Sequence, residues 1–383
     1  MGELFSLGMQ PLANKYPENK AEASHEFKQE LVLYFCDQCI YINLPCDAPR
    51  DVFFEDYYYL SSVNEELKNH FVDFAQWVKE ANFDFVVDVG SNDGIFLRPL
   101  KERGIKCVGV DPSENVSAIA NQLGFNTLTG FFDKNICEEI LKKYGRPDLI
   151  SASSVFTHLE DPSEFFKCAD NLLSDDGKVV IEVEYLADII EQFAFERFYF
   201  DRPHYFSINT LQQIAQADGF TLERVDLIPV HGGSIRATFS RIGRENSTSE
   251  FIELISTERA SLTRGAVLAG FKSFQEHCNI LKRSIEAFTQ KGLAVAAYGC
   301  PARFSTITNF SNLDASHLSF VIDDSPLKQG RLSPGKHIPI VAFDDVTKPD
   351  IFVVFAYEYA DSIQTKLRDF QFEYYKPIPF SKL

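Results

Sequence analysis

Val86-Val87-Asp88-Val89-Gly90-Ser91-Asn92-Asp93-Gly94 passes from an apolar strand into a turn with two glycines. Glycine there lets a ligand approach the backbone closely. The turn opens a helix near 96–103, and the next apolar run, 106–110, ends on Asp111-Pro112. A carboxylate in that place accepts both hydroxyls of an adenosine ribose. Strand, glycine turn, helix, strand, acid is the order of a nucleoside-binding unit.

The charges of the turn select among nucleosides. A dinucleotide site presents G-x-G-x-x-G so that backbone amides meet a pyrophosphate, whereas here Asp88 and Asp93 flank the turn and repel such a group. S-adenosylmethionine (SAM) has no phosphate and carries a sulfonium cation, so the acidic turn favours it over NAD. The expected cofactor contacts are Asp88, Gly90, Ser91, Asn92, Asp93, Gly94, Asp111 and Pro112. Phe131 and Phe132 follow at a place suited to packing on adenine, and Ser153 follows the next strand. Core packing is the competing role of the two Phe, a hydrogen-bonded slot on a helical first turn that of His158, and a ligand-free α/β turn that of the whole motif.

Outward from this motif, strand and helix signals alternate. Strands are expected at 85–89, 106–110, 149–152, 178–183, 221–227 and 234–241, with helices at 63–81, 113–123, 162–173 and 208–218. A polar stretch at 244–250 reads as a linker, followed by a long helical tract at 251–290. A second alternating unit has strands at 293–298, 318–322, 338–341 and 351–356 and helices at 302–310 and 359–370. Residues 1–60 look irregular apart from strand-like runs at 31–35 and 39–44. The expected architecture is α/β: a small N-terminal module (1–60), a Rossmann-like SAM domain (61–243) and a second doubly wound α/β domain (244–383).

The chain has 383 residues, which exceeds the size at which a single core stops growing. Its formal net charge of −18 repels a polyanion, so no nucleic-acid partner is expected, and an anionic substrate must meet a local basic pocket. No apolar run reaches membrane-spanning length and the first residues lack a signal-peptide pattern, so no membrane partner and a cytoplasmic location are expected. Eight Cys are scattered along the chain, and only Cys36 and Cys39 have metal-ligand spacing. Bulk is supplied by 36 Phe against two Met, which predicts Phe-lined cores. Oligomeric state is not set by any of these features.

Several ordered motifs resemble the C-methyltransferases that act on nucleotide-linked 4-keto-deoxysugars of the dTDP type. They are Leu7-Gly8-Met9-Gln10-Pro11-Leu12-Ala13-Asn14, Asp56-Tyr57-Tyr58-Tyr59-Leu60-Ser61-Ser62, the glycine turn, His231-Gly232-Gly233-Ser234, Ala297-Tyr298-Gly299-Cys300-Pro301-Ala302-Arg303 and Asp324-Ser325-Pro326-Leu327-Lys328-Gln329-Gly330-Arg331, followed by Pro334-Gly335-Lys336. The resemblance runs through nearly the whole chain. It implies an N-terminal zinc module, a SAM domain and a C-terminal domain, with the nucleotide sugar between the last two. The implied reaction is proton abstraction beside a keto group and attack of the enolate on the SAM methyl. It also implies Tyr57, Tyr59 and His231 near the sugar, and Arg236, Arg303, Lys328, Arg331 and Lys336 as donors for the diphosphate.

Two departures stand out. Of the two Cys pairs usual for zinc, only Cys36 and Cys39 are present, and Cys46 or His25 would have to complete a site. Where the family reads Y-H-E-H before Y-F-S, this chain reads Tyr199-Phe200-Asp201-Arg202-Pro203-His204-Tyr205-Phe206-Ser207. Arg202 thus replaces the usual basic His, and a guanidinium cannot accept a proton near neutral pH. His204 becomes the candidate base, with Tyr199 assisting and Arg202 holding an enolate or a phosphate. Competing readings are a SAM methyltransferase with another acceptor or atom, a non-catalytic SAM and nucleotide-sugar binding homologue, and an NAD-dependent epimerase or dehydrogenase.

Overall fold

The computed structural model describes residues 1–54, 60–243, 250–345, 348–367 and 372–383. A seven-stranded sheet has the spatial order Phe220–Ile228, Ser234–Arg241, Lys178–Glu184, Leu149–Ser153, Phe85–Val89, Lys106–Asp111, Thr127–Thr129. Its strands are parallel except for Ser234–Arg241, which opposes both neighbours. Every residue of Phe85–Val89 is buried, as a central parallel strand covered on both faces requires. From this strand the chain crosses to Lys106–Asp111 on one side and later to Leu149–Ser153 on the other. The strand order therefore reverses at the carboxyl end of Phe85–Val89, where such sheets bind ligands.

The C-terminal sheet repeats the plan. Its order is Ile340–Val341, Val321–Ile322, Val295–Tyr298, Ile351–Val354, Glu373–Lys376, Ser381–Lys382, parallel but for the last strand. Its reversal lies beside Val295–Tyr298. The expected helical tract 251–290 is two helices, Glu250–Ser261 and Arg264–Gln290, because Thr263 is extended and caps the second by accepting from the Ala266 amide at 3.2 Å. The linker 244–249 lies outside the described residues.

The N-terminal residues are more regular than expected. Gly2–Pro11, Lys28–Cys36 and Tyr41–Asn43 form an antiparallel sheet whose fourth strand is His204–Tyr205. Its apolar face, with Leu7, Leu33 and Ile42, joins one core with Phe195 and Phe198, with Val267 and Phe274 of helix Arg264–Gln290, and with Val295 of the C-terminal sheet. Phe5 stacks on Phe271 at 3.8 Å, and Phe supplies most of the largest fully buried side chains. Among the described residues no helix is long and apolar enough to cross a membrane.

Helix Glu65–Glu80 is opened by Asn64, which accepts from the Leu67 amide at 3.1 Å, and packs Phe71 and Phe74 against the central sheet. Under it lies Glu182, which accepts from Arg236 Nε at 2.6 Å, His70 Nε2 at 2.9 Å and Ser153 Oγ at 2.8 Å. The Arg236 guanidinium also lies 4.0 Å over the Phe74 ring. Arg236, expected to meet a diphosphate, is thus an internal counter-ion. Against the upward push of burial, His70 and Arg236 hold the Glu182 carboxyl down at about 2. Its stabilising contribution is complete above the ordinary Glu range and is lost as pH falls through about 2. Arg236→Ala leaves a buried charge short of a partner and is expected to lower unfolding free energy by about 3–5 kcal/mol, read from the denaturant midpoint.

Candidate active site

A cavity of about 400 Å³ opens where the carboxyl ends of both parallel sheets face each other. The glycine turn and Asp111 line one end. Gly299, Arg303 and Lys328 line the other, and Tyr199, Arg202, Glu184 and His231 lie between.

At the first end Asp111 Oδ2 accepts from the Asn92 amide and Oδ1 from the Ser113 amide, both at 2.9 Å. Each oxygen keeps acceptor capacity, since a carboxylate offers about four lone-pair sites. Burial pushes this carboxyl above its usual range. Gly90 has φ +73°, and a Cβ there would sit 2.0 Å from Val155 Cγ2. Gly94 has φ +84°, with Phe125 in the place of any side chain. Pro112, Phe131, Phe132 and Ser153 line the same end. The Arg50 guanidinium lies 3.9 Å over the Phe131 ring, and Phe132 packs on Phe165 at 5.2 Å. A ribose-gripping acid, a turn without a side chain and adjacent aromatics fit adenosine, so these residues suit SAM.

The acidity of the turn is arranged differently from the expectation. Asp88 is buried, accepts from Ser151 Oγ at 2.8 Å, and is pushed up to about 7 by burial. Asp93 Oδ2 accepts from Ser62 Oγ at 2.5 Å, and Asn92 Oδ1 from the Ser61 amide at 3.0 Å. Asp93 and Asn92 therefore pin residues 61–62 over the turn, Asp88 faces only a small side cavity, and Ser91 lies beneath against Gly109. Asp111 is the acid of this motif that reaches the main cavity.

His204 does not. Its strand pairs with Tyr41–Asn43, Nε2 donates to Leu159 O at 2.8 Å, and Nδ1 accepts from the Tyr41 hydroxyl. Both ring nitrogens are engaged inside the protein, so His204 is a packing residue and not the base. Arg202 does face the cavity and is paired with Glu184, with its guanidinium 5.1 Å from the centre of the Tyr199 ring. Against burial, Arg202 and Arg197 hold Glu184 down at about 2, while burial raises the Tyr199 phenol. His158 also lines the cavity. Its Nδ1 bonds Asp201 O, a carbonyl that can only accept, so Nδ1 carries the proton and Nε2 the lone pair. Burial and then Arg202 push His158 down to about 3. His231 reaches the cavity from a left-handed turn residue (φ 53°), with burial lowering its pKa.

Of the cations expected at a diphosphate, Arg303 and Lys328 line the cavity. Arg303 makes a two-bond pair with Glu358 at 3.1 and 2.9 Å, and Arg197 reaches the same carboxylate at 3.2 Å. Arg331 instead donates to Tyr16 O at 3.1 Å and Glu18 at 2.9 Å, tying the N-terminal segment to the C-terminal sheet. Lys336 donates to Asn312 at 2.5 Å, away from the cavity. Tyr57 and Tyr59 lie outside the described residues. Cys36 and Cys39 have their sulfurs 2.8 Å apart, but no group of three or more His, Cys, Asp or Glu gathers as metal ligands among the described residues. Neither Cys46 nor His25 completes a zinc site with them.

Sequence reading missed Glu184, Arg197, Asp323 and Glu358. One carried a signal: Glu184, like Glu182 two positions before it, is an acid in a mostly apolar strand, and such buried acids need cationic partners.

A methyltransferase-domain model matches residues 59–225, and a C-methyltransferase C-terminal domain model matches residues 229–378. The C-methyltransferase NovU of Streptomyces niveus is 26% identical over 377 residues, spanning 96% of this chain and 90% of that protein. An uncharacterized methyltransferase of Staphylococcus carnosus (strain TM300) is 27% identical over 180 residues, spanning 42% of this chain and 84% of its own. Among solved structures, magnesium protoporphyrin IX methyltransferase (ChlM) from Synechocystis PCC 6803 with bound SAH aligns with a TM-score of 0.38 and 17% identity, over 48% of this chain and 90% of that one. The chain is a SAM-dependent methyltransferase. Its C-terminal part matches the C-methyltransferase C-terminal domain, and over nearly its whole length it is similar to a C-methyltransferase.

Gly90→Ala inserts a methyl group against Val155 and strains a left-handed turn. It is expected to weaken SAM binding at least about tenfold, an effect of about 1.4 kcal/mol, measured by calorimetry.

Proposed function

We propose that this enzyme methylates the carbon beside the keto group of a nucleotide-activated deoxysugar. The observation that supports it best is the single cavity running from Asp111, past Tyr199, Arg202 and His158, to Arg303 and Lys328. Such a path suits an acceptor whose sugar lies near the methyl donor and whose diphosphate reaches the cationic end. SAM, when bound at the Asp111 cradle, supplies a methyl group made electrophilic by its sulfonium.

The chain's own residues divide the remaining work. His158 Nε2 takes the proton from the carbon, its tautomer fixed by Asp201 O. Arg202, oriented by Glu184, stabilises the oxygen as it becomes an enolate. The Tyr199 phenol, kept protonated by burial, donates to the same oxygen. A base held as low as about 3 also favours a second reading, an acceptor whose carbon is already acidic through a further electron-withdrawing group.

Methyl transfer to a panel of nucleotide 4-keto sugars, with the product methyl located by NMR, tests the acceptor. A methyl found on oxygen, or no transfer to any keto-sugar, overturns this reading. His158→Ala is expected to lower kcat about 10² to 10⁴-fold at unchanged SAM affinity. His204→Phe is expected to leave kcat within about threefold while lowering the melting temperature, because a ring in that slot packs but does not touch substrate. The pH profile of kcat/KM supplies a further check. A base is active when deprotonated, so with His158 pushed down to about 3 the profile stays flat from pH 8 to about 5 and shows no acid limb near the ordinary imidazole range.

A further inference from the structure

On the proposed function the methyl donor lies at the central sheet and the acceptor's diphosphate at the C-terminal one. The gap from methyl to carbon then depends on how the two sheets are spaced. The middle strands of the two, Phe85–Val89 and Val295–Tyr298, sit in separate apolar cores. Bonds at the cavity itself therefore bear on that spacing.

One such link is made by residues 61–64. Ser61–Val63 is a single 3-10 turn with extended backbone on either side, at Leu60 and Asn64. Its start is fastened to the glycine turn. The Ser61 amide donates to Asn92 Oδ1 at 3.0 Å, and Ser62 donates to Asp93 Oδ2 from its amide at 3.3 Å and from Oγ at 2.5 Å. The amide of the same Asn92 donates to Asp111, the acid that suits the adenosine ribose. At the far end Asn64 Nδ2 donates to the Tyr359 hydroxyl at 2.5 Å, across 295 positions of sequence. Asn64 Oδ1 accepts from the Leu67 amide at 3.1 Å and is committed to the helix cap, which leaves its nitrogen for Tyr359.

Tyr359 ends the short turn Tyr357–Tyr359, and its neighbour Glu358 makes the two-bond pair with Arg303. Ser61, Glu358 and Tyr359 line the cavity, while Asn64 is set back from it. Four residues thus connect the acid at the donor end with the cation at the acceptor end through side-chain hydrogen bonds.

We infer that residues 61–64 brace the two sheets, with Asn64 and Tyr359 as positioning residues that keep the methyl donor in reach of the acceptor carbon. The inference rests on the proposed C-methylation and deepens it, by naming what sets the distance of transfer. Misplacing reacting groups by about 1 Å can lower a rate about 10²-fold, whereas one neutral hydrogen bond adds little to folding. The brace is therefore felt in methyl transfer before it is felt in stability.

Two variants test it. Tyr359→Phe keeps the ring and removes the oxygen that Asn64 bonds, and Asn64→Ser keeps a capping oxygen on a side chain too short to reach Tyr359. With the nucleotide keto-sugar that the wild-type enzyme methylates, each is expected to lower kcat about tenfold. Calorimetric Kd values for S-adenosylhomocysteine and for the sugar are expected to stay within about twofold of wild type, an effect below about 0.4 kcal/mol. The double variant is expected to lose no more than either single one, since both remove the same bond. Proton removal is followed separately, as exchange of the acceptor's carbon-bound hydrogen in deuterium oxide with S-adenosylhomocysteine in place of SAM. It needs no methyl group and is expected to keep its wild-type rate, whereas a catalytic role for the phenol or a general loss of structure lowers exchange along with transfer. If kcat is unchanged in either variant, if the two losses add, or if exchange falls with transfer, the brace is overturned and the proposed C-methylation stands. If the wild-type enzyme methylates no nucleotide keto-sugar, the proposed function falls and takes this inference with it.

Discussion

A two-residue strand governs the geometry of the middle of the cavity. His204–Tyr205 pairs with Ile42 and Asn43, and the Leu44 amide donates to Pro203 O at 2.9 Å. From there the loop before it is held at successive points. The Tyr205 hydroxyl donates to Arg197 O at 2.7 Å and accepts from the Tyr199 amide at 3.3 Å, and Asn14 donates to Asp201 at 2.6 Å. The Tyr205 ring meets Phe198 at 4.6 Å in a core that also takes in the N-terminal sheet. Burying two such rings contributes about 3–6 kcal/mol, enough to fix a loop that carries charged groups into a cavity. The N-terminal sheet therefore also acts on the site by orienting Tyr199 and Arg202 from behind.

The same loop shows how an acidic protein makes room for an anion. The chain carries a formal charge of −18, yet Arg50, Arg197, Arg202, Arg303 and Lys328 line one cavity against Asp111, Glu184, Asp323 and Glu358. Five cations facing four carboxylates locally reverse the sign of the whole. Arg202 with Glu184 is a largely buried pair and Arg303 with Glu358 a half-buried one, and desolvation offsets much of their attraction. Their worth lies in pre-set geometry: each guanidinium is oriented before an anion arrives, so little ordering entropy remains to be lost.

What could be read beforehand follows from what each pattern encodes. The central sheet is legible because parallel strands buried on both faces are predominantly apolar runs, as at 85–89 and 179–183, broken there only by Asp88 and Glu182, and the glycine turn and Asp111 are legible from their order along the chain. The strand His204–Tyr205 was not, since two residues have no periodicity and its partner lies over 160 positions away. For that reason the sequence alone points to His204, an imidazole in the loop beside Arg202, as a base, although its pairing turns it inward. Arg236 failed for a related reason: a motif position gives residue type but not the face of the strand, and Glu182 directly across the ladder claims it.

The exchange of an imidazole for Arg202 has a chemical logic on the proposed reading. Removing a proton beside a carbonyl needs a base for the carbon and a positive or donating group for the oxygen, and one residue cannot supply both. Arg202 strengthens the second at the expense of the first, because its fixed charge also depresses His158, which burial has already lowered. A weak base then suffices only if the enolate is stabilised in proportion. The geometry moves in that direction: Arg202 and Tyr199 flank one space, and Glu184 prevents the guanidinium from turning away.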